Sequence, residues 1–331
     1  MQNTTDSPPK TSLLSEKLPL ILKISFTGFL LYSLWSLFVE KKQSIPSLDE
    51  VLIQLSTEEA MPLFTCMLLL LVVNWGLEAK KWQVLASPIE ALSFTKAYQG
   101  VLVGLCLGFV TPANMGDFAG KIWWLQNKNK LESIGAILIG NGIQFVVTLL
   151  FTTLALARFM YQKQLNTFPF LLLLCLLSLT LVLAFWLYQK RNILSKLTQR
   201  WIFLAPYEGY IKVIEAVDTH LVKQVAFWSI LRYLTFTVQF LLVLFIFQVN
   251  LSWLDLSMLI ALILGVKTIV PTLNFLSDLG TREFSALYFF SFYSVNNTAI
   301  LTATFVVWLV NILVPVLVGG VLVLGRRGAS V

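Results

Sequence analysis

Charge is scarce in this chain of 331 residues. Asp, Glu, Lys and Arg make up 12% of it against 57% hydrophobic residues, and the mean hydropathy is +0.79. A soluble domain carries about 25% charged residues, so the bilayer, not water, is the expected solvent for most of the surface. Histidine is scarcer still: His220 stands alone, in a basic loop, which leaves no imidazole cluster for a metal and no general base inside an apolar segment. The cysteines Cys66, Cys106 and Cys175 lie in apolar runs without ligand spacing. They read as small packing residues, not as a disulfide framework or a metal set. No paired acidic motif of the DxxxD kind and no low-complexity tract occurs. Neither enzymatic chemistry nor a cofactor is expected. The net charge of +7 comes from basic residues in short loops between apolar segments, so membrane topology explains it better than nucleic-acid binding does.

Long apolar runs are what the chain has. About 20 apolar residues cross the ~30 Å hydrocarbon core as a helix, and six stretches meet or nearly meet that length: 20–39, 61–78, 133–157, 168–188, 225–248 and 299–324. The first follows a tail with Lys10 and Lys17 and ends in Glu40-Lys41-Lys42 without a small-x-small cleavage pattern, the character of a signal anchor. Two further stretches, 98–126 and 257–295, are broken in the middle by Pro, Asn, Gly and charge. The expected fold is therefore an all-α polytopic membrane protein with about six full spans and two broken, re-entrant hairpins.

Basic residues orient it. If the N-terminus is cytoplasmic, the six spans alternate and each broken segment returns to its own side, 15 basic loop residues lie inside, among them Lys80 and Lys81, against Lys41, Lys42, Arg158 and Lys163 outside. The positive-inside rule favours that arrangement, with both termini cytoplasmic in a bacterial plasma (inner) membrane. Residues 1–19 and 325–331 then form cytoplasmic tails. Residues 20–157 form a first membrane repeat of span, span, hairpin and span, and 158–324 form a second with the same order and a cytoplasmic loop at 190–223. Because the two hairpins open from opposite sides, this is an inverted repeat, and transporters place substrate sites where such broken helices meet.

The hairpin tips resemble each other. Pro112, Asn114, Gly116, Asp117, Gly120 and Lys121 mark one; Pro271, Asn274, Asp278, Gly280, Arg282 and Glu283 mark the other. Pro and Gly read as the breaks, with Asn or Asp capping the helix that follows. In both tips a basic residue follows Asp at i+4, on one helix face. Two readings of these charges stand. Asp117–Lys121 and Asp278–Arg282 neutralise one another as hairpin clamps, or the tips share a cavity where Lys121 and Arg282 bind an anionic group such as phosphate. Asn114, Asn274, Asp117, Asp278, Glu283 and Lys267 complete the candidate site, with Lys267 equally able to snorkel to the interface. Arg232 reads as an interfacial anchor, and Trp123 and Trp124 as belt aromatics.

The segments "GFVTPANMGDFAGK" and "SDLGTREF" resemble two motifs of the lysylphosphatidylglycerol synthase transmembrane family, also called flippase-like membrane proteins. They are similar to its Pro-x-x-x-Gly-Glu-x-x-x-Arg and Gly-x-Gly-x-Arg-Glu patterns, and the resemblance covers about residues 20 to 324. It puts Asp117 in the place of the family's Glu, Lys121 in that of its Arg, and Gly280, Arg282 and Glu283 on the second motif. It implies translocation of a lipid with a charged or phosphorylated head group, by a stand-alone membrane domain without an aminoacyl-transferase domain. Membrane lipids, and enzymes of lipid pathways, are the implied partners. The alternative is a non-transporting accessory subunit of a lipid or polyprenyl-phosphate glycan pathway.

Overall fold

The computed structural model describes residues 48–111, 114–126, 130–165, 167–189, 218–270 and 277–327. The expected span at 20–39, the breaks Pro112 and Pro271, Asn274 and most of the 190–223 loop lie outside them, and of Asp278 only the helical backbone is described. Every regular element among the described residues is helical. In chain order these are α1 (Leu48–Leu55), α2 (Ala60–Ala86), α3 (Phe94–Val110), α4 (Met115–Ile122), α5 (Lys130–Lys163) and α6 (Phe168–Gln189), then α7 (Thr219–Ile246), α8 (Trp253–Ile269), α9 (Ser277–Phe290) and α10 (Asn297–Trp308). A π-helical turn, Leu309–Leu313, joins α10 to α11 (Val314–Arg327).

Five helices are long and apolar enough to cross a membrane: α2, α5 from Glu132, α6, α7 and the α10–α11 rod from Asn297 to Gly325. They coincide with five of the six expected spans. α6 is apolar on every side, and Leu177 is its one buried residue; lipid is the solvent such a helix requires.

The two broken segments follow one plan. α3 and α8 each contain 17 residues and each start at a serine N-cap, Ser93 accepting from the Lys96 N–H and Ser252 from that of Asp255. Each ends one residue before a proline, in Thr111 (φ −106°, ψ 146°) and in Val270 (φ −78°, ψ 115°). Proline disfavours helical backbone in the residue before it, which fixes where both helices stop. The second arms are short. At 1.5 Å per residue α4, with 8 residues, covers about 12 Å, too little to cross ~30 Å of hydrocarbon.

α4 folds back antiparallel on α3 through glycine. Gly100 lies against Gly120 and Lys121, and Gly108 against Asp117 and Asn114. A Cβ on Gly116 would stand 2.2 Å from the Leu107 carbonyl carbon, and one on Gly120 2.1 Å from the Gly104 nitrogen. Gly116 and Gly120 therefore do not break the chain, as the sequence suggested; both lie inside α4 with ordinary φ and let its backbone touch that of α3. Gly280 likewise lies within α9. The reversal itself falls on Asn114, in left-handed backbone (φ 53°), which asparagine tolerates better than most residues.

α2 and α7, the second spans of the two halves, pack most extensively on one another. Around that pair the halves exchange partners: α3 lies on α11, the end of the second half, and α8 on α5, the end of the first. Glycine sits in both contacts, Gly319 over the Leu102 carbonyl and Gly265 over Thr152, whose hydroxyl also donates to Ala261 O at 3.2 Å. At one end of this frame Arg158 of α5 pairs with Asp255 of α8 at 3.2 Å, and Lys163 lies 3.4 Å over the Tyr293 ring.

Gly120→Ala and Gly116→Ala place a methyl inside the backbone of α3 and are expected to destabilise the protein by at least ~1–3 kcal/mol. Gly142→Ala, with nothing within 4 Å of the added carbon, is neutral or stabilising by ~1 kcal/mol as a helix-interior exchange. Thermal unfolding of the three variants in detergent checks the contrast; equal midpoints would contradict the close approach.

Candidate functional site

The polar core of the molecule begins on α2, over the last turn of the expected span 61–78 and the turn that follows it. Asn74, Trp75, Glu78, Lys81 and Trp82 are all buried there, and their spacing of i, i+1, i+4, i+7 and i+8 places them on one helix face. Lys81, expected in a cytoplasmic loop, is 2% exposed. It is held there by Glu78, whose Oε2 lies 2.6 Å from the Lys81 ammonium.

Glu78 binds two more cations. Lys121 of α4 reaches its Oε1 at 3.1 Å, and Arg232 of α7 its Oε2 at 3.3 Å. Lys121 also pairs with Asp117 at 2.9 Å, one helical turn back on α4. The expected i,i+4 clamp therefore forms, but it is one link of a longer chain of charges joining three helices. Arg232 is no interfacial anchor: its side chain enters this cluster, and its guanidinium carbon lies 5.2 Å from the centroid of a Trp75 ring, within cation–π range.

Trp75 is held in turn by the break in the α10–α11 rod. In a continuous α-helix the carbonyl of Asn311 would accept from residue 315, but that residue is proline and has no N–H. The chain widens into the π-turn just before it, where Val314 N–H reaches back to Leu309 O. Trp75 Nε1 supplies the missing donor, at 3.1 Å from Asn311 O. Asn74 adds a contact from its amide to Asn311 Oδ1 at 3.4 Å. A helix defect in the second half thus sets the indole on which Arg232 rests.

The tip of the first hairpin is closed by a hydroxyl. Asn114 occupies the N-cap position of α4 without a side-chain cap; instead Thr111 Oγ1 accepts from Gly116 N–H at 2.8 Å while donating to Leu107 O at 2.8 Å. One side chain thereby satisfies the end of α3 and the start of α4. Past α4, Trp124 packs inward against Gly100, while Trp123 is exposed, so only one of the two expected belt aromatics faces outward.

A cavity of about 680 Å³ opens beside these groups. Of the sequence-derived candidates, Asn114, Asp117, Lys121 and Lys267 line it together. Arg282 and Glu283 do not. Both are buried on α9, where Arg282 Nη2 meets Glu283 Oε1 at 3.0 Å. Glu78, Lys81 and Arg232 line the cavity too, and the sequence reading missed them as site residues. The signal for α2 was available: Asn74, Glu78 and Lys81 repeat at helical spacing, which no loop requires. Among the described residues the cavity carries four cationic side chains (Lys81, Lys121, Arg232, Lys267) and two carboxylates (Glu78, Asp117). The difference, 4 − 2, leaves a formal surplus of two positive charges. Among the described residues no three His, Cys, Asp or Glu side chains converge to hold a metal ion.

Long apolar helices around a buried ionic cavity define a polytopic α-helical membrane protein. Its family follows from comparison: a family model, the lysylphosphatidylglycerol synthase TM region, matches residues 20–319, and the chain belongs to that family. No match is found among curated proteins.

Two outcomes test the site's construction. Glu78→Gln leaves buried Lys81 and Lys121 and half-buried Arg232 sharing one fewer anion and is expected to cost ~3 kcal/mol or more in stability, the usual penalty for breaking a buried ion pair on one side. Trp75→Phe strands the Asn311 carbonyl at a cost of ~1–3 kcal/mol, and adding Pro315→Ala, which restores a backbone donor, should recover part of that loss. Thermal denaturation of the single and double variants reads both; a Trp75→Phe cost unchanged by Pro315→Ala would show that the indole does not replace the missing N–H.

Proposed function

We propose that this protein translocates membrane lipids whose head group carries an anionic, phosphate-bearing moiety, and that the cavity between the first hairpin and helices α2, α5, α7 and α8 receives it. The observation that carries this reading is the surplus of cations over carboxylates at a cavity among apolar helices. Charge is costly at membrane depth, and an anion from the lipid offsets an excess of one sign. Arg232 offers a planar fork for phosphate oxygens, and Lys121 and Lys81 compact charges. Glu78 competes with the phosphate for the same three cations, so the head group exchanges ionic partners and does not meet bare charge.

The re-entrant reading of the hairpins rests on the shortness of α4 and on the extended residues before Pro112 and Pro271. The exchange of partners between halves, α3 with α11 and α8 with α5, supports an inverted repeat. Basic-residue asymmetry supports cytoplasmic termini in a bacterial plasma membrane. Lys267 enters the site from the second hairpin.

Purified protein reconstituted in vesicles is expected to move a chain-labelled anionic phospholipid between leaflets. Lys121→Ala combined with Arg232→Ala should slow that movement at least tenfold, since each charge-assisted contact contributes ~1.5–3 kcal/mol. Equal rates for wild type and the double variant would overturn the proposal.

A further inference from the structure

The central helix pair bounds a second cavity, of about 460 Å³, at the end that the basic-residue asymmetry places in the cytoplasm. It lies between the last turns of α2, through Lys80 and Val84, and the first turns of α7, through His220, Lys223, Phe227 and Trp228. The spacing i, i+3, i+7 and i+8 sets the four α7 residues on one helix face. That face is not the one of Val225, Ser229 and Tyr233, which α7 buries. Among the described residues none lines both this cavity and the larger one.

The two cavities differ in how their cations are held. In the larger one Lys81, Lys121 and Arg232 bind Glu78 or Asp117. In the smaller one no carboxylate among the described residues lines the wall, and Asp218, two residues before His220, stays outside it. His220 and Lys223 are exposed and make no hydrogen bond or ion pair among the described residues. Lys80 donates one proton to Gln83 Oε1 at 2.8 Å, and an ammonium has three to give. Val84, Phe227 and Trp228 supply the apolar part of the lining, the two rings in edge-to-face contact with centroids 5.2 Å apart.

Cations without carboxylates, next to an apolar wall at the end of two spans, fit an amphipathic anion. A free phosphate ion would use the cations and leave most of the volume empty, and an acidic peptide would leave the aromatic wall unused. A lipid uses both, and basic pockets between helices on the cytoplasmic side are suited to phosphate-bearing head groups. We propose that this cavity is a second anion site, where Lys80, His220 and Lys223 hold the phosphate of an inner-leaflet lipid whose chains run along Phe227 and Trp228. That lipid stays bound while the larger cavity works. Lys80 lies two residues past Glu78, and Trp228 one turn before Arg232, so a lipid here clamps α2 to α7 beside the Glu78–Arg232 pair. The proposal needs α2 and α7 to span the membrane and does not depend on translocation.

Native mass spectrometry of the purified full chain, with phosphatidic acid or phosphatidylcholine added in detergent, counts the lipids retained. Phosphatidic acid is expected at two places. Lys80→Ala combined with Lys223→Ala should weaken one of them at least tenfold, since each basic residue facing anionic lipid contributes about fivefold; Lys80→Arg with Lys223→Arg should keep it. Lys121→Ala with Arg232→Ala should empty the other place and leave this one filled. Phosphatidylcholine retained equally well, or a Lys80→Ala/Lys223→Ala variant that keeps as much phosphatidic acid as the wild type, overturns the proposal. Inorganic phosphate that displaces phosphatidic acid from this place at equal concentration overturns the lipid as its occupant. Loss confined to the Lys121→Ala/Arg232→Ala variant leaves the larger cavity as the anion site and removes this one; loss confined to the Lys80→Ala/Lys223→Ala variant does the converse.

Discussion

A carboxylate shared by three cations in a medium of low dielectric is the interaction on which this structure turns. Glu78 would be untenable among apolar helices by itself, and so would Lys81, Lys121 or Arg232. Bound together at 2.6, 3.1 and 3.3 Å, they tie α2 to α4 and α7 with a strength that packing of leucine on leucine does not supply in lipid, where no hydrophobic force drives helices together. The hairpin tip is held at the core of the molecule by its charge, and its glycines let the backbone follow.

That second requirement is steric. For Lys121 to reach Glu78, α4 must lie against α3 with no side chain between their backbones over two turns, which Gly116 and Gly120 on α4 and Gly104 on α3 make possible. The ion cluster and the glycine contacts are thus conditions on each other: bulk at Gly120 would push the lysine away from its partner, and loss of the partner would leave a buried ammonium to repel the hairpin.

Much of the fold was legible in the sequence because lipid imposes a simple rule, that a helix must be apolar for about 20 residues. Five of the expected spans appear for that reason, and both breaks fall where Pro112 and Pro271 demand an extended residue before them. The site was legible only at its tip. Asn114, Asp117, Lys121 and Lys267 sit next to breaks or inside short apolar helices, where charge is conspicuous. Glu78 and Lys81 were hidden because they occupy the end of a span, where charge is ordinary, and only pairing with α4 and α7 distinguishes them from interfacial residues. Arg232 was misread for the same cause. Arg282, whose i,i+4 echo of Lys121 suggested a shared cavity, lies buried on α9 with its guanidinium 3.0 Å from Glu283.

The π-turn at Leu309–Leu313 has one more effect. Each residue added to a helix rotates everything after it by about 100°, so the extra residue in that turn resets the phase of α11 relative to α10. It is this reset phase that carries Gly319 to the Leu102 carbonyl of α3. A rod of the same length without the insertion would bring a different residue to that contact, and the bulky Leu317, Val318 and Val321, all exposed on α11, are its neighbours. One inserted residue therefore keeps two separate parts of the molecule in step, the indole that supports Arg232 and the outer wall of the hairpin that carries Lys121.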